Sequence, residues 1–462
     1  MFAGSVYIER RAALRKRLRS GIVLLPGNVD APINFPHNVH VFRQDSTFLY
    51  FFGVNRPHIA AIVDIDSGDE TVFGDDASLD DEIWLGKTPR LAAQCAQAGC
   101  PAVKPYAALA DVIAHAIRQG RDVHFLPPYR ADTVVELSRL LRCTPDNARE
   151  RASLALIQTV VALREIKSDV EIDEIEKALA VTDEMHRAAM RAARPGVLEC
   201  KVVAEMHRVL MRHGLQEAYQ SVLTKRGEIL HNFNYDLRLE AGDLVVNDSG
   251  ASSALGYASD VTRTLPVGGR FDSRQRELYE LLVQAQEVGI ATSRPGVPFA
   301  NAHRAAVLHF IEGLTVMGFF KGNPQDVMSS GAYAICFPHG LGHQLGLDVH
   351  DMESFGEDHV GYDEQFSRSD LFGLRSLRMA KPLKAGMVMT VEPGIYFVPP
   401  LIQRWAEEKR HAQFIDYPKF NKHIGYGGMR VEDEILITST GSRVMGPGTP
   451  KTVIELEELL SD

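Results

Sequence analysis

Ala241-Gly242-Asp243-Leu244-Val245-Val246-Asn247-Asp248 and Ala385-Gly386-Met387-Val388-Met389-Thr390-Val391-Glu392 are the two segments on which the fold turns. Each opens on Ala-Gly, runs through apolar residues of strand type and ends on a carboxylate. Upstream of each lies the tetrapeptide Arg-Pro-Gly-Val, at 194–197 and again at 294–297. Each tetrapeptide follows a helical stretch and precedes another, Glu199 to Arg212 in the first copy and Asn301 to Met317 in the second. Downstream, a second acidic residue follows each segment: Asp260 in Ser259-Asp260-Val261-Thr262, and Glu432 in Val431-Glu432-Asp433-Glu434. The same order of elements, met twice, implies an α+β domain built as an internal two-fold pseudo-repeat. Each half would deliver two carboxylates.

Those carboxylates carry the chemistry. If the hairpin after Asp248 turns near Ala254, Asp248 and Asp260 face each other across two strands, where like charges repel. A divalent cation between them would relieve the repulsion, and carboxylate oxygens suit a hard ion such as manganese. Two exposed strand-end aspartates are the alternative. Glu392 ends an apolar strand at Pro393-Gly394, as a surface charge or a site residue. Alternation puts Glu432 and Glu434 on one face and Asp433 on the other, and spacing leaves open which face is inward. The sharpest local signal is His339-Gly340-Leu341-Gly342-His343-Gln344-Leu345-Gly346-Leu347-Asp348-Val349-His350. Three imidazoles among three glycines suggest a site with close backbone approach, without saying which histidine is a ligand. Four carboxylates and an imidazole make a donor set for two ions, and the reaction class that follows is metal-assisted hydrolysis.

Ahead of this domain, residues 1–160 alternate helix and strand signals and read as a small α/β domain. Tyr7 to Leu18 and Ala107 to Arg118 have helical spacing. Gly21 to Leu25, Ala60 to Ile65, Thr71 to Phe73 and Val123 to Leu126 read as strands. Pro145-Asp146-Asn147 reads as a break, and a long helix follows from Asp169 to Ala193. The second domain then spans 161–462. The net charge of -10 argues against a nucleic-acid partner. No run approaches the roughly 20 apolar residues of a membrane span, and the N-terminus lacks a signal-peptide pattern, so a cytoplasmic protein is expected. The five cysteines, Cys95, Cys100, Cys143, Cys200 and Cys336, are scattered without a CxxC pair, against a disulfide framework or thiolate zinc site. Cys336, near the histidines, could be a lone nucleophile or a buried core residue.

From about 165 to 440 the chain resembles the prolidase, aminopeptidase P and methionine aminopeptidase group, whose fold is called pita-bread. The segments that carry the likeness are Asn247 to Ala251, Ala258 to Thr264, His339 to Asp351, Thr390 to Gly394 and Gly428 to Asp433. The resemblance implies two divalent ions, manganese first with cobalt or zinc possible, held by Asp248, Asp260, His343, Glu392 and Glu432. Asp260 and Glu432 would bridge the ions, and Glu392 would also activate water. It makes His350 and His231 active-site histidines, sets His339 behind the ligands and lining the substrate site, and has Arg430 orient the carboxylates. The gap from Asp248 to Asp260 is one residue longer than the commonest family pattern.

Phe42-Arg43-Gln44-Asp45-Ser46-Thr47-Phe48-Leu49-Tyr50 and Phe52-Gly53-Val54 resemble the N-terminal domain of aminopeptidase P and prolidase. The implied substrate is a small peptide with proline second, and the implied assembly a homodimer. The stretch through Trp405, Glu407, Lys409 and Tyr417 is similar to prolidases. So is Gly373 to Arg378, in which Arg378 matches an arginine that grips a dipeptide's carboxylate. As a bare residue Arg378 could equally be a surface cation beside Lys381 and Lys384. The favoured reading is an Xaa-Pro dipeptidase, with an Xaa-Pro aminopeptidase as the alternative and a non-catalytic scaffold as a distant third.

Overall fold

The computed structural model describes residues 1–100 and 102–461. They divide into two compact units, Met1–Arg164 with Met352–His359, and Glu165–Asp351 with Val360–Asp462. No helix among the described residues is long and apolar enough to cross a membrane.

The first unit is built on a five-stranded sheet. Strand Ile22–Pro26 runs antiparallel to Ala60–Asp64 and parallel to Val123–His124, and Ala60–Asp64 pairs in turn with Glu70–Phe73. Ile22, Leu24, Ala60, Ile62 and Phe73 are buried against helices Ala108–Arg118 and Ala131–Leu141. Ile22, Leu24, Ile62 and Phe73 each contribute roughly 1.5–3 kcal/mol when fully buried. The Phe42 to Tyr50 segment serves the fold. Asp45 caps helix Ser46–Phe52 by accepting from the Thr47 and Phe48 amides, and buried Gln44 accepts from the Asn28 and Asp45 amides. Pro145 does not break the chain as the sequence suggested. It occupies the first turn of helix Pro145–Glu150, where a missing N–H costs nothing, behind the Thr144 cap.

In the second unit the repeat is visible in the backbone hydrogen bonds. The Gly196 amide donates to the Leu239 carbonyl and the Leu239 amide to Val197; Gly296 donates to Leu383 and Leu383 to Val297. Bridges Leu198↔Arg238 and Pro298↔Pro382 correspond in the same way. Long helices precede both copies, Asp169–Ala192 and Ser273–Thr292, and each packs against the helix that follows its own copy, Glu199–His213 or Phe299–Val316. The strand segments quoted at the outset become Leu244–Ser249, paired antiparallel with Val261–Pro266, and Val388–Val391, paired antiparallel with Asp433–Ile437.

The two half-sheets meet at one seam. The Glu432 amide donates to the Thr262 carbonyl, and Thr264 Oγ1 both accepts from the Arg430 amide and donates to its carbonyl. Buried Arg263 clamps the seam with an ion pair to Asp433 at 2.6 Å and a bond to the Glu432 carbonyl. The hairpin after Asp248 does turn at Ala254–Leu255, but its register differs from the expectation. The ladder partner of Asp248 is Thr262, not Asp260, and the second strand begins only at Val261. The same register continues through the bridge Ser252↔Ala258, so the turn centres on Leu255, one residue later than expected.

Candidate active site

All the candidate carboxylates stand at strand ends around the seam. Asp248 closes its strand beside Arg430, whose Nη2 donates to Asp248 Oδ2. Thr262 Oγ1 donates to Glu432 Oε2 at 2.7 Å. His343 Nε2 lies 3.5 Å from Asp260 Oδ2 and 3.4 Å from Glu392 Oε1, so the imidazole reaches both halves of the repeat. Its orientation is fixed from behind, because Nδ1 bonds the Gln344 carbonyl at 3.0 Å. Donor atoms of Asp260, His343 and Glu432 all fall within 4.8 Å of one another. Alternation holds at the second strand: Asp433 points away to Arg263 and Lys451, while Glu432 and Glu434 point inward. Glu434 Oε1 accepts from the Asp260 amide at 2.6 Å and so supports the site from the backbone side.

Electrostatics says what this cluster lacks. Burial raises the pKa of Asp248, pushes Glu392 up to about 7 and lifts Glu432 well above the ordinary range, and neighbouring carboxylates add to each. Burial acts on Asp260 too, but hydrogen bonds and charge from His343 hold it below its usual value. Arg430 stays charged despite its burial, held by Tyr396, Asp248, Glu392 and Glu432. One guanidinium does not balance four desolvated carboxylates. Glu432 Oε1 is buried with no hydrogen-bond donor, an open acceptor position of the kind a cation fills. The oxygen-rich set with a single imidazole fits hard or borderline divalent ions.

Tyr219 was not singled out by the sequence. Its hydroxyl lies 2.6 Å from Asp248 Oδ1 and 2.5 Å from Asp260 Oδ1, yet carries one proton to share between them. Nothing in Glu217-Ala218-Tyr219-Gln220 advertises this, since only the tertiary fold brings it to the aspartates. Thr390 is a second addition: it receives the His343 amide at 3.0 Å and lies 3.4 Å from Glu392. A hydroxyl inside an apolar strand, two residues before Glu392, was the signal available for it.

Around the carboxylate cluster stand the other candidates. The His350 ring packs 4.2 Å from that of His343, edge to face. His339 Nδ1 bonds the Gly340 carbonyl, so Nε2 is the bare nitrogen that accepts from the Tyr396 hydroxyl at 2.9 Å, while Arg430 donates to the same hydroxyl. Burial and Arg430 push His339 down to about 3, so it is neutral in this chain. It reaches the edge of the carboxylate cluster, 4.0 Å from Glu392. His231, exposed and stacked on Phe233, has Arg430, Asp248, His350 and Arg378 as electrostatic neighbours, and half-buried Arg378 also acts on His339. Cys336 is fully buried in the core, its Sγ on the Tyr333 carbonyl and its thiol pushed up by burial, which removes it as a nucleophile.

The residues thus assembled lie within 173–439, a span that matches metallopeptidase family M24. The chain belongs to metallopeptidase family M24. Ahead of the M24 span, residues 7–124 match the aminopeptidase P N-terminal domain. Over the whole M24 chain, the Xaa-Pro aminopeptidase of Escherichia coli K12 is 30% identical, with 98% of this chain and 96% of the relative covered. Human Xaa-Pro dipeptidase is 28% identical over 99% and 93%. Among solved structures, aminopeptidase PepP of Pseudomonas aeruginosa superposes with a TM-score of 0.81 at 29% identity, covering 100% of this chain and 98% of that one. A zinc-substituted E. coli aminopeptidase P in complex with product gives the same score at 27% identity. The pita-bread architecture implied by the sequence is therefore present.

One glycine of the M24 histidine run has a steric task. A Cβ on Gly342 would sit 2.0 Å from the Thr390 carbonyl oxygen, so the loop carrying His343 lies directly on the Glu392 strand. Gly342→Ala is expected to destabilise the fold by about 1–3 kcal/mol and to weaken metal retention. Thermal melts with and without added manganese would measure both, and wild-type values would show that the close approach is dispensable.

Proposed function

We propose that this chain hydrolyses the peptide bond preceding proline, using two divalent ions held by Asp248, Asp260, His343, Glu392 and Glu432. The observation that carries this reading is the convergence of both halves of the repeat on His343, around a buried carboxylate oxygen that no donor satisfies. The names of the relatives support the Xaa-Pro specificity. When bound, the ions supply the positive charge that lowers the pKa of water and polarises the scissile carbonyl. Manganese is the ion we favour, since four of the five donors are carboxylates. A cytoplasmic homodimer is the setting we propose.

In this mechanism Glu392, beside His343, accepts the proton of the attacking water and returns it to the proline nitrogen as the bond breaks. His350 and His231, beside the ligands and at the rim, donate to the oxygen that gains charge in the tetrahedral state. The network from Arg430 through Tyr396 to His339 keeps His339 neutral and Asp248 oriented. The imide nitrogen of proline has no hydrogen to satisfy, so its ring needs shape more than a polar partner.

A dipeptidase is the reading we favour for chain length. Arg378, among the site's electrostatic neighbours, offers a bidentate partner for a carboxylate one residue past the scissile bond. The full-length likeness to solved aminopeptidases P favours the second reading, removal of one residue from longer Xaa-Pro peptides. Side-by-side assays of an Xaa-Pro dipeptide and an Xaa-Pro-Xaa tripeptide with manganese discriminate them. Arg378→Ala is expected to raise KM for the dipeptide about ten- to a hundredfold, the 1.5–3 kcal/mol of a charge-assisted bond. It should spare the tripeptide more. Equal loss on both substrates would remove Arg378 as the length gauge.

A further inference from the structure

A buried carboxylate outside the ligand set holds the loop that carries His231. Glu199 is the first residue of helix Glu199–His213 and is fully buried. Its Oε1 accepts from the Lys225 amide at 2.8 Å, and its Oε2 accepts from the Leu237 amide at 3.2 Å. His231 lies midway between those two amides in the chain. The loop is further folded on itself, with Asn232 Nδ2 donating to Thr224 Oγ1 at 2.9 Å and the Asn234 amide to Asn232 Oδ1 at 3.1 Å.

The repeat provides an internal control. Glu199 stands five residues after Arg194, and Phe299 stands five residues after Arg294. Both backbones make the same bond: the Glu199 amide donates to Leu237 and the Phe299 amide to Lys381. The fold therefore accommodates a fully buried phenyl ring at this position, and needs no carboxylate there for its own sake. Burying a charge-bearing group where an apolar one packs is unfavourable unless its bonds accomplish something. What differs between the halves is how the loop is held: the second half's loop carries His350 beside His343 with a phenyl ring at Phe299, whereas in the first half the Glu199 carboxylate holds both ends of the loop that carries His231.

We infer that Glu199 is a positioning residue for His231, closing both ends of the 225–237 loop with one carboxylate so that the imidazole is presented to the substrate. The inference rests on the proposed role of His231 in the reaction.

The test is a double-mutant cycle on the manganese-loaded full chain. Glu199→Gln keeps shape but replaces one acceptor oxygen with a donor, so one of the two amides loses its partner. It is expected to lower kcat/KM on an Xaa-Pro substrate roughly ten- to a hundredfold, with bound manganese unchanged and faster hydrogen exchange at the Lys225 and Leu237 amides. His231→Ala should show a loss at least as large. In the His231→Ala background, Glu199→Gln should have no further effect, because the two act as one unit. An equal fold-loss in both backgrounds, or unchanged exchange at both amides, would overturn the inference. Wild-type activity in His231→Ala alone would instead overturn the role of His231. If Glu199→Gln fails to fold, Glu199→Asp, too short to reach both amides, runs the same cycle.

Discussion

Glu392→Gln is expected to lower kcat by about 10²- to 10⁴-fold, the contribution of a positioned general base. The substitution keeps the volume of the side chain and the strand that carries it, Val388–Val391, whose four residues are buried. It removes the proposed proton acceptor, 3.4 Å from His343 Nε2, while Asp248, Asp260 and Glu432 remain. Bound metal should fall by no more than one ion per chain. Steady-state kinetics on an Xaa-Pro dipeptide, with metal content measured on the same sample, reads both. A variant turning over within a few fold of wild type would refute the role given to Glu392, whatever its metal content.

The second large effect is thermodynamic and needs no substrate. Carboxylates of both halves are packed with Arg430 as the cation in direct contact, so divalent ions should stabilise the fold by binding it and not the unfolded chain. At an ion concentration about 100 times the dissociation constant, the linkage contributes about 2.7 kcal/mol. Manganese is therefore expected to raise the melting temperature of the wild-type chain by several degrees. Asp260→Asn should lose most of that shift. Asp260 lies 3.5 Å from His343 and 2.5 Å from the Tyr219 hydroxyl, and a neutral amide is a poor ligand there. Before any ion is added, the variant should be somewhat less stable than wild type at neutral pH, because the His343 and Tyr219 contacts that hold Asp260 below its usual pKa favour the carboxylate. A manganese-induced shift as large in Asp260→Asn as in wild type would remove Asp260 from the ligand set.

Sequence reasoning reached the repeat, the strand-end carboxylates and the histidine run. All of these are local patterns: apolar runs ending on acid, and glycines spaced around imidazoles. It reached inward-facing Glu432 and Glu434 only as an alternative, since alternation defines faces but not which face is buried. It placed Asp248 opposite Asp260, whereas the ladder pairs Asp248 with Thr262. A hairpin register follows from where the chain turns, and centring the turn on Leu255 rather than Ala254 moves every partner by two residues. Pro145 was read as a break because proline stops a helix interior, but the same residue opens a helix when a capping threonine precedes it.

The sequence by itself determined that this chain folds as two halves of one plan, and that each half ends its strands on acids. Those facts are written in order and spacing, which survive without coordinates. Only the tertiary structure decided which polar groups serve the acids: the Tyr219 hydroxyl shared by Asp248 and Asp260, Thr262 on Glu432, the Arg430–Tyr396–His339 chain, and Glu199 beneath the His231 loop. The reason is physical. Hydrogen bonds to a buried carboxylate act over about 3 Å, and their donors come from elements tens or hundreds of residues apart, so no window of sequence contains both partners.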